Sequence, residues 1–242
     1  MTLQQSLDWL KDNLDVLVTI VSALVAVGSA IVARGETKAQ RRLQQAAVRV
    51  EIDRQSLDWG DEVIDVMAEA GALATSTGPV AEQEFVLRRD TLAARLSALA
   101  DRGRLFFPNY KPETKGQDKD GAYQGHRPPI LFAVIIAYYQ VKNLQFGHFQ
   151  AGEEAAGFLF QLRRLFVSEL QAFLDPNHRN SLVERADQMD ERPYQRAARL
   201  ALDFDCRHPG VLASHNDEDL IFTLPTEERR AILHAYHERQ AQ

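Results

Sequence analysis

The chain has 242 residues, is 45% hydrophobic and 26% charged, and carries a formal net charge of −6. A mildly acidic chain is not a general nucleic-acid binder, and a lone cysteine, Cys206, excludes an intramolecular disulfide framework and suits a reducing compartment. Arg outnumbers Lys 22 to 6, a bias of GC-rich bacterial genomes. Ala, Leu, Glu, Gln and Arg dominate and strand-rich segments are scarce, so the expected class is all-α.

Residues 1–15 read as a short acidic tail carrying Asp8, Lys11, Asp12 and Asp15. Residues 16–33, VLVTIVSALVAVGSAIVA, contain no charge. At about 1.5 Å per helical residue they are just long enough for a bilayer core of about 30 Å. Arg34, Lys38, Arg41 and Arg42 follow at once. The positive-inside rule then puts the N-terminus outside and the bulk of the chain in the cytoplasm of a bacterial inner membrane. A secretory signal peptide would want a basic start and a shorter apolar core. Ser22, Ala26, Ser29 and Ala33 share one helix face on which two membrane helices can approach closely. Arg34, Lys38, Arg41 and Arg42 stand where lipid headgroups would be.

Residues 34–75 read as a stalk helix. Leu43, Ala47, Val50, Leu57, Ile64 and Met67 recur at helical spacings, while Arg54 and Asp61 interrupt a long coiled-coil seam. Thr75 to Gly78 break the pattern, and residues 79–242 are expected to form a cytoplasmic helical domain. Its first helix opens at Pro79, buries Phe85, Leu92, Leu96 and Leu99, and ends near Gly103.

Residues 107–127, FPNYKPETKGQDKDGAYQGHR, read as an irregular loop. It is the one place where cations and an aromatic ring could meet a phosphate-bearing or nucleotide ligand, through Arg104, Lys111, Lys115, Lys119, Tyr123, His126 and Arg127. GRLFFPN and YQGHRPPI, on its two flanks, look like a matched pair of motifs. Pro128 and Pro129 open an apolar segment to Val141, short for a span and expected as the central core helix; the sharper reading is a helix that inserts into the bilayer when released.

A helix over 153–174 should bury Phe158, Leu162, Leu165, Phe166, Leu170 and Phe173. Ser181 with Glu184 has the form of a capping box. A helix should start there, be restarted or kinked at Pro193 and continue to about Phe204; Gly210 to Leu224 reads as irregular with a short strand at 220–222, and Pro225 starts a last helix to Glu238.

Cys206, His208, His234 and His237 are of the types that bind zinc. However, residues three apart share a face on any exposed helix, and the Cys-x-His spacing is tighter than usual. No Gly-x-Ser-x-Gly elbow, HExxH helix or dinucleotide glycine pattern occurs, so no cofactor is expected and a non-catalytic role is favoured. The leading expectation is a single-pass membrane protein that tethers or senses through self-association or a protein partner, in contact with lipid. The alternatives are a membrane-acting effector triggered by a ligand at 107–127, and a metal-dependent hydrolase built on the C-terminal Cys/His cluster.

Overall fold

The computed structural model describes residues 14–76, 81–175, 191–214, 221 and 224–240. It is all-helical: α1 Leu14–Ala74, α2 Glu82–Gly103, α3 Pro129–Lys142, α4 Phe149–Leu174, α5 Glu191–Arg207, α6 Val211–Ser214 and α7 Thr226–Gln240. Among the described residues β pairing is limited to an isolated antiparallel bridge, Tyr110 with His126. Most of the expected tail 1–15, Pro79, the Ser181–Glu184 pattern and two of the three residues of the expected strand 220–222 lie outside the described residues.

The chain divides into two compact units between Ile52 and Asp53, inside α1. The first consists, where described, of α1 alone. Leu24, Val25, Leu43, Val48 and Val50 are exposed on it. Among the described residues no helix is long and apolar enough to cross a membrane. Within the expected span the side chains of Ala26 and Ala33 fall outside the described residues, as do those of Arg34, Lys38 and Arg42. Ser22, Ser29 and Arg41 are exposed, and the Ser29 hydroxyl donates to the Val25 carbonyl at 2.8 Å.

The second unit begins at Asp53, within the expected stalk 34–75 rather than at 79. The physical reason is burial. Trp59, Val63, Val66, Met67 and Ala70 form one face of α1 and enter the same core as the later helices. Heptad-like spacing alone does not reveal where a helix stops being exposed and starts being covered.

α3 is the centre of this unit, packed against α2, α4 and α5. Every residue from Pro129 to Ala137 is buried. A helix apolar on all sides must be covered on all sides, and here protein does the covering. Pro129 in its first turn lacks an N–H that would have gone unbonded there. α2 buries Phe85, Leu92, Leu96 and Leu99, and α4 buries Phe158, Leu162, Leu165, Phe166 and Leu170. Phe173 is partly buried against the same core. α4 starts at Phe149, one turn before the expected Glu153. Trp59 ties three elements together: its Nε1 donates to the Leu99 carbonyl at 2.9 Å, and its ring meets Phe107 and Phe166 with centroids 5.4 and 5.3 Å away.

Candidate functional site

The segment after α2 is held by its own bonds. Phe107 turns back into the core against Phe173, 4.6 Å between centroids. Tyr110 and His126 exchange backbone hydrogen bonds of 2.8 and 2.7 Å, Asn109 Nδ2 donates to the Gln124 carbonyl at 2.9 Å, and Gly125 N–H donates to the Lys115 carbonyl at 2.8 Å. Gly125 sits at φ +83°, a region open to glycine at little cost. The two flanking motifs, GRLFFPN and YQGHRPPI, are therefore matched to each other.

Arg104 completes this clasp. Its guanidinium lies 4.4 Å from the centre of the Tyr123 ring, its Nε is 3.5 Å from Asp101 Oδ1, and the Tyr123 hydroxyl donates to the same Oδ1 at 3.2 Å. The Arg104 side chain is only 9% exposed. Burial first, then the nearby positive charge of Arg127, lowers its pKa from the usual arginine value, while Tyr123 and Asp101 act the other way. Of the expected ligand residues, Arg104, Tyr123 and Arg127 are thus brought together. The Tyr123 face expected to stack a ligand is stacked by Arg104 itself. Lys111 and Lys119 are exposed, Lys115 is half-buried, and His126 serves through its backbone.

The Cys/His residues do not converge. Among the described residues no group of three or more His, Cys, Asp or Glu could hold a metal ion. The His208 ring lies tilted against Phe204 with centroids 4.8 Å apart, His234 lies 3.5 Å from Glu238 on the exposed side of α7, and His237 meets the edge of Tyr236. Cys206 is half-buried against the core.

Two polar clusters escaped the sequence reading. In the first, Tyr110, Tyr194 and Glu169 come together from the clasp, α5 and α4. Burial raises both tyrosine pKa values, Tyr194 far above the ordinary phenol range, and Glu169 adds to both shifts. The second is a cavity of about 290 Å³ where the α3–α4 turn meets the ends of α1 and α5, lined by Gln140, Asn143, His148, Glu154, Arg207 and His208. Arg207 is fixed there by an ion pair to Asp203 and by stacking on Phe158 at 4.1 Å. Burial, then the charge of Arg207, lowers the pKa of His208 and favours its neutral imidazole. These residues are spread from 140 to 208, so no local spacing could announce them. One signal was available, a single amide, Gln140, in the otherwise apolar run of α3.

No protein family, curated protein or solved structure matches this chain.

Proposed function

We propose that this is a single-pass inner-membrane protein whose cytoplasmic helical domain is tethered by the run 16–33 and brought into a homo-oligomer through α1. The observation that carries the reading is an apolar helix face that is exposed among the described residues. Leu43 is 71% and Val50 68% exposed, and Ala47 lies exposed between them. They are spaced four and three residues apart, the pattern by which one helix seats on another. Counted back in sevens, Val50 and Leu43 lead to Glu36, Ser29 and Ser22, and Ala47 leads to Gln40, Ala33 and Ala26. The small-residue face of the apolar run and the apolar face of the stalk are one register. Val48 and Ile52 are also exposed, but their register meets Arg41 and Gln45.

Two experiments test this. Native protein should stay with carbonate-washed membranes, and Leu24→Arg with Val25→Arg should move it to the soluble fraction. Each arginine at the centre of a span costs about 2.5–3.5 kcal/mol. A wild-type chain found soluble without detergent overturns the anchor. In a Cys206→Ser background, Leu43→Cys and Val50→Cys should each crosslink to their own copies, whereas Val48→Cys and Ile52→Cys should not. Equal crosslinking at all four positions, or none, removes the oligomer seam and leaves the anchor standing.

A further inference from the structure

Between α4 and α5 lies a cleft of about 600 Å³ whose lining carries charge of one sign. Arg164 comes from α4, Arg196 and Arg199 come from α5, and among the described residues the lining holds no carboxylate. Arg199 is ion-paired to Glu228, which stands outside the lining. Arg164 and Arg196 are exposed, and no carboxylate among the described residues is paired with either. In a chain of net charge −6, guanidinium groups gathered in this way favour an anion.

The same cleft carries an aromatic ring that the fold leaves open. Phe160 is 50% exposed, with the Arg163 and Arg164 guanidinium carbons 5.4 and 6.0 Å from its centroid. A ring framed by planar cations is a surface on which a planar aromatic group can stack. Gly157, one turn before Phe160, keeps the space clear. A Cβ there would meet nothing within 4 Å, so packing does not call for glycine, which is a poor helix former. Half-buried Leu200 adds apolar lining, and Gln161 adds an exposed amide that can both donate and accept.

We infer that this cleft binds a nucleoside polyphosphate, with its base on the Phe160 ring and its phosphates at Arg164, Arg196 and Arg199. About 600 Å³ lies within the range of small-molecule sites, about 300–1,000 Å³. Three arginines exceed what one carboxylate can neutralise, and the guanidinium fork matches phosphate oxygens in pairs. Inorganic phosphate would leave the ring uncovered, and a neutral aromatic would leave the arginines unanswered. A flat bilayer surface would not fill a concave cleft. The inference goes beyond the membrane tether and does not depend on it, because every lining residue lies in the second unit.

The test is calorimetric titration of the full chain, in mild non-ionic detergent without added metal, with ATP, GTP, CTP and UTP in turn. At least one should bind saturably at one site per chain. Tripolyphosphate, the parent nucleoside, and glycerol phosphate as the headgroup chemistry of an anionic lipid should each bind at least about tenfold more weakly, since each lacks the stack or most of the charge. Phe160→Ala, Arg164→Gln and Arg196→Gln should each lower affinity about tenfold. All three side chains are exposed, so these variants should melt with the native chain. Gly157→Leu should fill the cleft and abolish binding while melting no lower than the native chain, which separates lost binding from lost folding. No binding by any of the four at about 5 mM overturns the inference. So does tripolyphosphate or glycerol phosphate binding as tightly as the best nucleotide, or an affinity that Phe160→Ala and Arg196→Gln leave unchanged.

Discussion

Gly103 is the last residue of α2, where alanine would ordinarily be the better helix former. Here a Cβ would come within 2.6 Å of Trp59 Cζ2 and also strike Leu131 Cδ2. Neither neighbour is free to move, because Trp59 and Leu131 are both buried in the core. Gly103→Ala should therefore destabilise the domain by about 1–3 kcal/mol, the usual cost of overpacking, against a propensity gain of under about 1 kcal/mol. Chemical denaturation of the variant measures the sign. His208 gives a second prediction at this scale. Burial, then the charge of Arg207, lowers its pKa in the fold, whereas the unfolded side chain protonates near pH 6.5. Below that value the unfolded chain binds more protons, so stability that is complete above pH 6.5 drains away as the pH falls through it. Melting temperature should drop between about pH 7.5 and 5.5, and His208→Gln should flatten that drop. An equal slope in the variant would assign the acid sensitivity to other groups.

At the scale of elements, the clasp between α2 and α3 shows what was and was not legible. The boundaries of α2 near Gly103 and of α3 at the two prolines follow from sequence signals, since Gly and Pro act locally. The chain between them reads as irregular for an equally good reason, because its glycines, prolines and charges satisfy no helical or strand period. Its order comes from pairings between residues some fifteen to twenty apart, Asn109 with Gln124 and Arg104 with Tyr123, which periodicity does not register. The sequence reading grouped Arg104, Tyr123 and Arg127 as ligand residues, and the structure places Arg104 on the Tyr123 ring and near Arg127. In the fold the cation over the Tyr123 ring is Arg104 itself. A buried cation over an aromatic face contributes about 2 kcal/mol, more than the single hydroxyl bond to Asp101, about 1 kcal/mol. Arg104→Ala should therefore open residues 105–127 to limited proteolysis, while Tyr123→Phe, which keeps the ring, should leave cleavage close to the native rate. If Tyr123→Phe were cut as fast as Arg104→Ala, the hydroxyl bond rather than the stack would be holding the clasp.

At the scale of the molecule, the question is which part of the chain supplies stability. Among the described residues, every member of the hydrophobic core lies at or beyond Trp59. The described side chains of α1 before Ile52 are exposed in one copy and contribute nothing to that core. A fragment starting at Asp53 keeps 190 residues (242 minus 52), ample for a domain with one hydrophobic core. It should express without detergent and unfold in a single cooperative transition followed by circular dichroism. Removing exposed helix should cost under about 1 kcal/mol, which for a domain of this size moves the melting point by no more than about 4 °C. A fragment that melts without cooperativity, or far lower, would mean that the first fifty residues belong to the fold. A fragment that holds its melting point means that the uncharged run and the exposed Leu43–Ala47–Val50 face are not maintained by the needs of folding. Under the proposed reading, the exposed leucine and valine would then be covered by a second copy of the helix.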